Sequence, residues 1–479
     1  MPKLRRMRLS QLRPGKRLKT VSPTLPHLAL TPRLPLTGRG VVTVYGAGGK
    51  TSFMERLARE LAGSGKRVIQ TTTTKIFLPE TPHAVIGEDL KTVAENLESE
   101  LGRMPVVVLG ATLLPDNKLS GIDPAWPGAL LERRIADYVI VEADGSAHKP
   151  IKGYASYEPV FPSRSDVLVP VLGVEAIGNP VDPGHVHRAE AFCKLTGARP
   201  GAPIDVSHFL TIARHMIDLG RQSTPGAAIV PLINKVDTIS DCRVIREIAE
   251  GLKQYSADIL FTALREDDPV RFLYQAGTDG TGFGISAVIL AAGESLRMGR
   301  PKLSLEIRGK TILEHALAPV AEAGIRDVVI VFSAENEKLK DLVPRGYRVV
   351  INRHSKEGIS TSLKAGLSAV DPRSQGILFA LGDQPFVGSG VYKDLIQYHR
   401  GHLPLITCPV YEGKRGNPVI FDRRLWPALM KIKGDEGGKQ IMAGVDPKDI
   451  GQVKVDGDGV LIDIDTPEEY EMYGGKEGA

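Results

Sequence analysis

Apolar positions in this chain cluster in short, nearly unbroken runs, separated by longer stretches in which they return every three or four residues. GVVTVYG (40–46), KRVIQTTTT (66–74), MPVVVLG (104–110), YVIVEADG (138–145), DVLVPVLG (166–173) and AAIVPLIN (227–234) are such runs, and SFMERLARELAGSG (52–65) is an amphipathic segment closed by glycine. Continuous apolar runs predict strands buried on both faces, and the 3.6-residue period predicts helices between them. The alternation is that of a parallel α/β sheet, where chemistry gathers at strand C-termini.

From Ile285 the rhythm starts again. ISAVIL (285–290), DVVIVFS (327–333), YRVVIN (347–352), GILFALG (376–382) and LPLITCPVY (403–411) are predicted strands, with helices around 311–323, 359–370 and 391–398. The Gly- and Thr-rich YQAGTDGTGFG (274–284) lies between the two regions. The reading is therefore α/β throughout, with one domain at 38–275, a linker at 276–284 and a second domain at 285–479. A chain of 479 residues is in any case too long for a single core, and no internal repeat relates the halves.

Composition changes this picture only at the N-terminus. An apolar fraction of 42% and a charged fraction of 24% are ordinary for a globular protein, and no apolar run approaches a membrane span. The formal charge is +5, but residues 1–39 hold ten Lys or Arg and no acid, so the remainder carries −5. Residues 1–37 read as a basic, mostly disordered tail without the apolar core of a secretory signal. No aromatic stacking pattern accompanies the basic residues, so a nucleic-acid partner is not expected. Cys193, Cys242 and Cys408 are odd in number and far apart, which argues against disulfides and zinc knuckles and for a reduced, cytoplasmic setting.

Chemistry concentrates first in LAAGESLRMGRPK (290–302). Past Leu290, the small residues Ala291, Ala292 and Gly293 let backbone N–H groups approach a ligand, for which phosphate oxygens are the natural choice. Arg297 and Lys302 add a forked guanidinium and a point charge to the same polyphosphate. In FALGDQPFV, Gly382 and Asp383 follow an apolar strand. VLIDIDTPEEY places Asp463 and Asp465 two apart on an expected strand, turned away by Thr466 and Pro467. Asp383 and Asp465 together suit Mg²⁺ against a triphosphate.

LAAGESLRMGRPK, GDQP and DIDTP in this order resemble the MobA-like nucleotidyltransferases, and among them the molybdenum cofactor cytidylyltransferases, over roughly 285–470. The resemblance implies a Rossmann-like α/β domain of the nucleotide-diphospho-sugar-transferase type. It also implies CTP and molybdopterin (molybdenum cofactor) as substrates, and Mg²⁺. Leu290-Ala291-Ala292-Gly293, where guanylyltransferases usually carry Leu-Ala-Gly-Gly, favours cytidine. In NRHSKEGISTSLKAGL the resemblance puts Gly358, Ser360 and Ser362 at a helix start facing the nucleotide; hydroxyls there can equally be helix caps. KRGNPVIF (414–421) and GDEGGK (434–439) match later loops on the pterin side, with Lys439 as a departure from the usual pattern.

Upstream, VYGAGGKTS resembles a phosphate-binding loop, although Val44 stands where the full pattern has Gly. Gly46, Gly48 and Gly49 free the backbone, Lys50 can reach phosphates, Thr51 can offer its hydroxyl to Mg²⁺, and Ser52 follows on the helix. Glu142 and Asp144 in VEADGS supply strand-end carboxylates for a further Mg²⁺. Asn234, Lys235 and Asp237 form the N-K-x-D pattern with which GTPases read guanine, so GTP or ATP is the expected ligand of a P-loop-like parallel α/β domain. TTTTK (71–75) is either a β-branched strand or a threonine cluster facing phosphate. His185 and His187 either share a strand face as metal ligands or lack the further ligands a metal needs.

GAGGKTS, TTTTK, VEADGS, HKPIKGYASYEPVFPS, HVHRAE and NKVD together resemble the YqeC-type accessory protein of selenium-dependent molybdenum hydroxylases, over about 38–260. This implies a molybdenum hydroxylase apoenzyme as partner. The expectation is a fusion that cytidylylates molybdenum cofactor. Its alternatives are a nucleotidyltransferase using GTP or a sugar phosphate, and a GTP- or ATP-gated cofactor chaperone.

Overall fold

The structure, a computed structural model, describes residues 29–77, 83–115, 117–239, 241–275, 283–293, 298, 301–435 and 437–474. Arg297, most of the expected tail and most of the expected linker lie outside the described residues. Contacts divide the chain between Arg271 and Phe272 into two compact units. No helix among the described residues is long and apolar enough to cross a membrane.

In the first unit the strands run in the order Asp258–Thr262, Leu232–Asn234, Val167–Gly173, Gly40–Gly46, Tyr138–Glu142, Val68–Thr72, Val106–Gly110 and Ala84–Ile86. Each neighbouring pair is parallel. The apolar runs thus become largely buried strands, and the two central ones, Gly40–Gly46 and Val167–Gly173, are buried at every position. AAIVPLIN is split into Ala228–Ile229 and Leu232–Asn234, because Pro231 has no N–H to give to a ladder. Gly40–Gly46 turns through Gly48 and Gly49, both at positive φ, into the helix Lys50–Gly63.

The expected tail is not disordered to residue 37. Leu30 and Leu34 are buried, and the backbone N–H and hydroxyl of Thr31 both donate to Glu60 Oε2, at 2.9 and 3.0 Å. Apolar residues spaced through LALTPRLPL give this segment a face to bury, which the charge count concealed.

In the second unit the sheet order is Arg348–Asn352, Val328–Ser333, Ile285–Ala291, Gly376–Leu381, Val419–Asp422 and Ile406–Tyr411. The first four strands are parallel and the last two pair antiparallel. The two central strands, Ile285–Ala291 and Gly376–Leu381, place Ala287, Ile289 and Leu378 in the core, and both end at the same sheet edge. VLIDIDTP is not a strand as expected. Asp463 and Asp465 lie between a short 3-10 turn, Asp458–Leu461, and the helix Pro467–Met472. Ile464 N–H donates to Asp383 O (3.1 Å), which fastens the segment to the sheet edge at one point without building a ladder.

Candidate active site and phosphate loop

In the second unit, strand ends bring the predicted residues around a cavity of about 420 Å³. Leu290, Ala292, Gly293, Lys302, Ser362, Asp383 and Asp465 line it, together with Asp435, Gly358 and Ile359. Lys302 is buried, and its Nζ lies 2.5 Å from Asp383 Oδ2 and 2.6 Å from Asp465 Oδ1. Burial alone would lower the ammonium's pKa, but Asp383 and Asp465 outweigh it and raise the value above the ordinary one, so Lys302 is charged at neutral pH. Asp463 is pushed up by burial and by the neighbouring Asp465.

Asp383 Oδ1 is buried with no hydrogen-bond partner. Two carboxylates, one carrying an unused buried oxygen, are the donor set a hard divalent cation takes, so these residues fit Mg²⁺. Among the described residues no group of three or more His, Cys, Asp or Glu gathers as a metal cluster. His185 Nδ1 instead pairs with Asp182 (2.8 Å), and burial followed by Lys152 lowers the pKa of His187.

The remaining predicted residues shape the cavity from behind. Gly382 N–H donates to Leu290 O (2.9 Å), and a Cβ on Gly382 would sit 3.2 Å from that of Ala291. Ser360 N–H donates to Gly434 O, and Ile359 N–H to Asp435 Oδ1. The GDEGGK loop therefore closes on the start of the helix Ile359–Ala369. Two residues missed by sequence reasoning organise this wall. Buried Asn336 donates from Nδ2 to Ala291 O (3.0 Å) and Gly293 O (3.3 Å), bracing the glycine turn, and Asn352 does the same for the helix start. Asn336 belongs to no motif and Asn352 only opens NRHSKEGISTSLKAGL; the fold alone shows what each asparagine reaches.

In the first unit, Lys50 Nζ contacts Gly46 O at 2.6 Å, Asp144 Oδ1 at 3.1 Å and Glu142 Oε1 at 3.4 Å. Burial works against its charge, yet Asp144 and then Glu142 leave its pKa raised. The Glu142 carboxyl is raised by burial, against the opposing pull of Lys50. Asp144 also accepts from Gly46 N–H at 2.9 and 3.0 Å. The buried Lys152 continues the chain of charge from Asp144 Oδ2 (3.0 Å) to Glu158 Oε2 (2.8 Å), and Arg188 closes it on Glu158.

Thr51 and Ser52 sit on the first turn of the helix Lys50–Gly63. Asn234 donates to Gly48 O (2.8 Å) and accepts from Thr262 Oγ1 (3.1 Å) and Leu264 N–H (3.3 Å). The N-K-x-D asparagine is thus a strut under the glycine turn at 46–50. Lys235 Nζ pairs with Glu175, and Asp237 is exposed on the turn Val236–Thr238. The threonine run is a strand end whose hydroxyls return to the backbone, Thr71 to Leu109 O, Thr72 to Glu142 O and Thr73 to Val160 O.

Comparison with known proteins divides the chain the same way. The YqeC protein family matches residues 42–190, and the MobA-like NTP transferase domain matches 287–450. The chain is 28% identical over 242 residues to the uncharacterized protein YqeC of Escherichia coli K12, covering 48% of this chain and 89% of that protein. It is 30% identical over 198 residues to nicotine blue oxidoreductase of Paenarthrobacter nicotinovorans, covering 40% and 95%. Molybdenum cofactor cytidylyltransferase of Escherichia coli K12 is 24% identical over 187 residues, covering 39% and 93%. Among solved structures, Rv0371c from Mycobacterium tuberculosis H37Rv is 30% identical with a TM-score of 0.36, covering 40% of this chain and 97% of that one. The chain thus carries a YqeC-like region followed by a MobA-like NTP transferase domain, and is a nucleotidyltransferase.

Proposed function

We propose that the second unit transfers CMP from CTP to the terminal phosphate of molybdopterin, and that the first unit binds GTP or ATP while the cofactor is prepared for a molybdenum hydroxylase. The observation that carries this reading is the position of Lys302 between Asp383 and Asp465 in the wall of a cavity that Leu290, Ala292 and Gly293 also line. The similarity to molybdenum cofactor cytidylyltransferase supports molybdopterin as acceptor.

A phosphate oxygen of the acceptor attacks the α-phosphorus of CTP in line. A new P–O bond forms as the bond to the β-phosphate oxygen breaks, and pyrophosphate leaves. No protein nucleophile enters; the chain supplies position and charge. Backbone N–H groups of the 291–293 turn and the Lys302 ammonium take up negative charge on the phosphates. Asp383 and Asp465 would hold Mg²⁺, which when bound neutralises phosphate oxygens. The buried wall formed by Asn336 and Gly382 keeps the turn at one distance from the substrate.

Pyrophosphate release measured with Mg²⁺, molybdopterin and each nucleotide in turn tests this. CTP is expected to be the donor. Turnover with GTP but not CTP removes the cytidylyl assignment, and release of pyrophosphate with neither removes the acceptor.

A further inference from the structure

The cavity wall contains a hydrogen-bond relay that decides which way a hydroxyl points. Asn352 ends the strand Arg348–Asn352 and is buried. Its Oδ1 accepts from His354 N–H at 2.9 Å, which fixes the amide's orientation. Its Nδ2 therefore faces the helix Ile359–Ala369 and donates to Thr361 Oγ1 (2.8 Å) and Ser362 Oγ (2.9 Å). Both amide hydrogens are spent on these two hydroxyls.

Thr361 passes its own hydrogen to a backbone carbonyl, Gly358 O or His354 O, each at 2.9 Å. Ser362 is different. It is 3% exposed, lines the cavity, and receives a hydrogen from Asn352. A hydroxyl whose lone pair is occupied from behind has its hydrogen left for the open side. Ser362 is in this way set as a donor toward whatever fills the cavity.

We propose that Asn352 is a specificity-positioning residue, which orients the Ser362 hydroxyl as a donor and so selects a nucleotide base whose Watson–Crick edge presents an unprotonated ring nitrogen. The inference rests on the nucleotide-donor reading given above and names the base edge it recognises. Cytosine N3 carries a lone pair and accepts such a donor. Uracil N3 and guanine N1 carry hydrogens and would meet it donor to donor. A buried polar group left facing a like partner loses its hydrogen bond and its hydration together, which is why single groups of this kind discriminate strongly.

Asn352→Asp tests the relay with almost no change of shape. A carboxylate at this position still accepts from His354 N–H but also accepts from Ser362, turning the hydroxyl round and presenting its lone pair to the cavity. The measurement is kcat/KM for CTP and for UTP, by pyrophosphate release with molybdopterin, on the full chain. The added negative charge slows both nucleotides; the ratio isolates orientation. The CTP/UTP ratio is expected to fall by about tenfold or more. Ser362→Ala, which removes the donor without adding charge, is expected to lower the ratio in the same direction and covers the case in which Asn352→Asp misfolds. Wild-type preference for CTP with an unchanged ratio in both variants overturns this inference alone. Wild-type preference for GTP overturns the cytidylyl reading and this inference with it.

Discussion

Replacing Gly49 by alanine tests whether the glycine turn at 46–50 of the first unit is held by its own backbone or by the asparagine beneath it. Gly49 has φ +139, a region that side-chain-bearing residues rarely adopt, and a Cβ there would lie 2.2 Å from Asn234 Nδ2. The strained backbone costs about 1–3 kcal/mol. Asn234 cannot simply swing away, because Gly48 O, Thr262 and Leu264 N–H all hold it. Its displacement leaves buried polar groups unpaired, about 1–3 kcal/mol more. The sum is about 4 kcal/mol, a large share of the ~5–15 kcal/mol that keeps a domain folded.

Gly65 provides the control. It also has positive φ, +80, but nothing lies within 4 Å of its would-be Cβ, so Gly65→Ala is expected to cost only about 1 kcal/mol. Thermal unfolding followed by circular dichroism should show the Gly49→Ala transition roughly 10 °C below that of Gly65→Ala. Adding Asn234→Ala to Gly49→Ala removes the atom in collision, so the double variant should lose less than the two singles together, by about 2 kcal/mol. Equal midpoints for the two glycine variants, or strict additivity with Asn234→Ala, would refute the claim that the loop rests on this contact.

Four further outcomes follow from the charged groups. Lys302→Met should reduce pyrophosphate release by about 10²-fold or more. Because the raised Lys302 pKa keeps the ammonium charged and is lost only as pH rises past its ordinary value of 10.5, the wild-type pH–rate profile should show no limb from this group between pH 6 and 10. Asp422, fully buried beside Arg424 (2.6 Å), has a pKa held down to about 2: burial opposes its charge, and Arg424 and His399 overcome that. A depressed carboxyl stabilises the fold above its unfolded pKa and loses that contribution as pH falls through about 2. Asp422→Asn should therefore cost about 2 kcal/mol at pH 7 in urea titration, with the gap to wild type closing between about pH 4 and 2. Lys152→Met leaves Asp144 and Glu158 without their shared cation and should destabilise the protein by about 3–5 kcal/mol in the same assay. A Lys152 variant as stable as wild type would show the buried charge chain to be dispensable.

The sequence by itself determined most of the strands and which of their ends gather small and charged residues. Unbroken apolar runs such as VVTVY and SAVILA have only one stable use, burial on both faces of a parallel sheet, and the glycine turns that follow them fall at the sheet edge by geometry. Lys50, Glu142 and Asp144 could be picked out beforehand because a strand end followed by a small or acidic residue is a local pattern, and the same holds for Lys302 and Asp383. What local pattern could not supply was the partner of each group. Asn234 reads as a base-recognition residue until the fold places it under Gly48, and DIDTP reads as a strand until Ile464 is seen to make a single bond to Asp383. Asn336 has no sequence signal, and Asn352 stands in NRHSKEGISTSLKAGL with nothing there to say what it holds. A hydrogen-bonding side chain has a reach of a few ångströms, and only tertiary packing decides which backbone carbonyl, carboxylate or hydroxyl from 10 to 186 residues away comes within it.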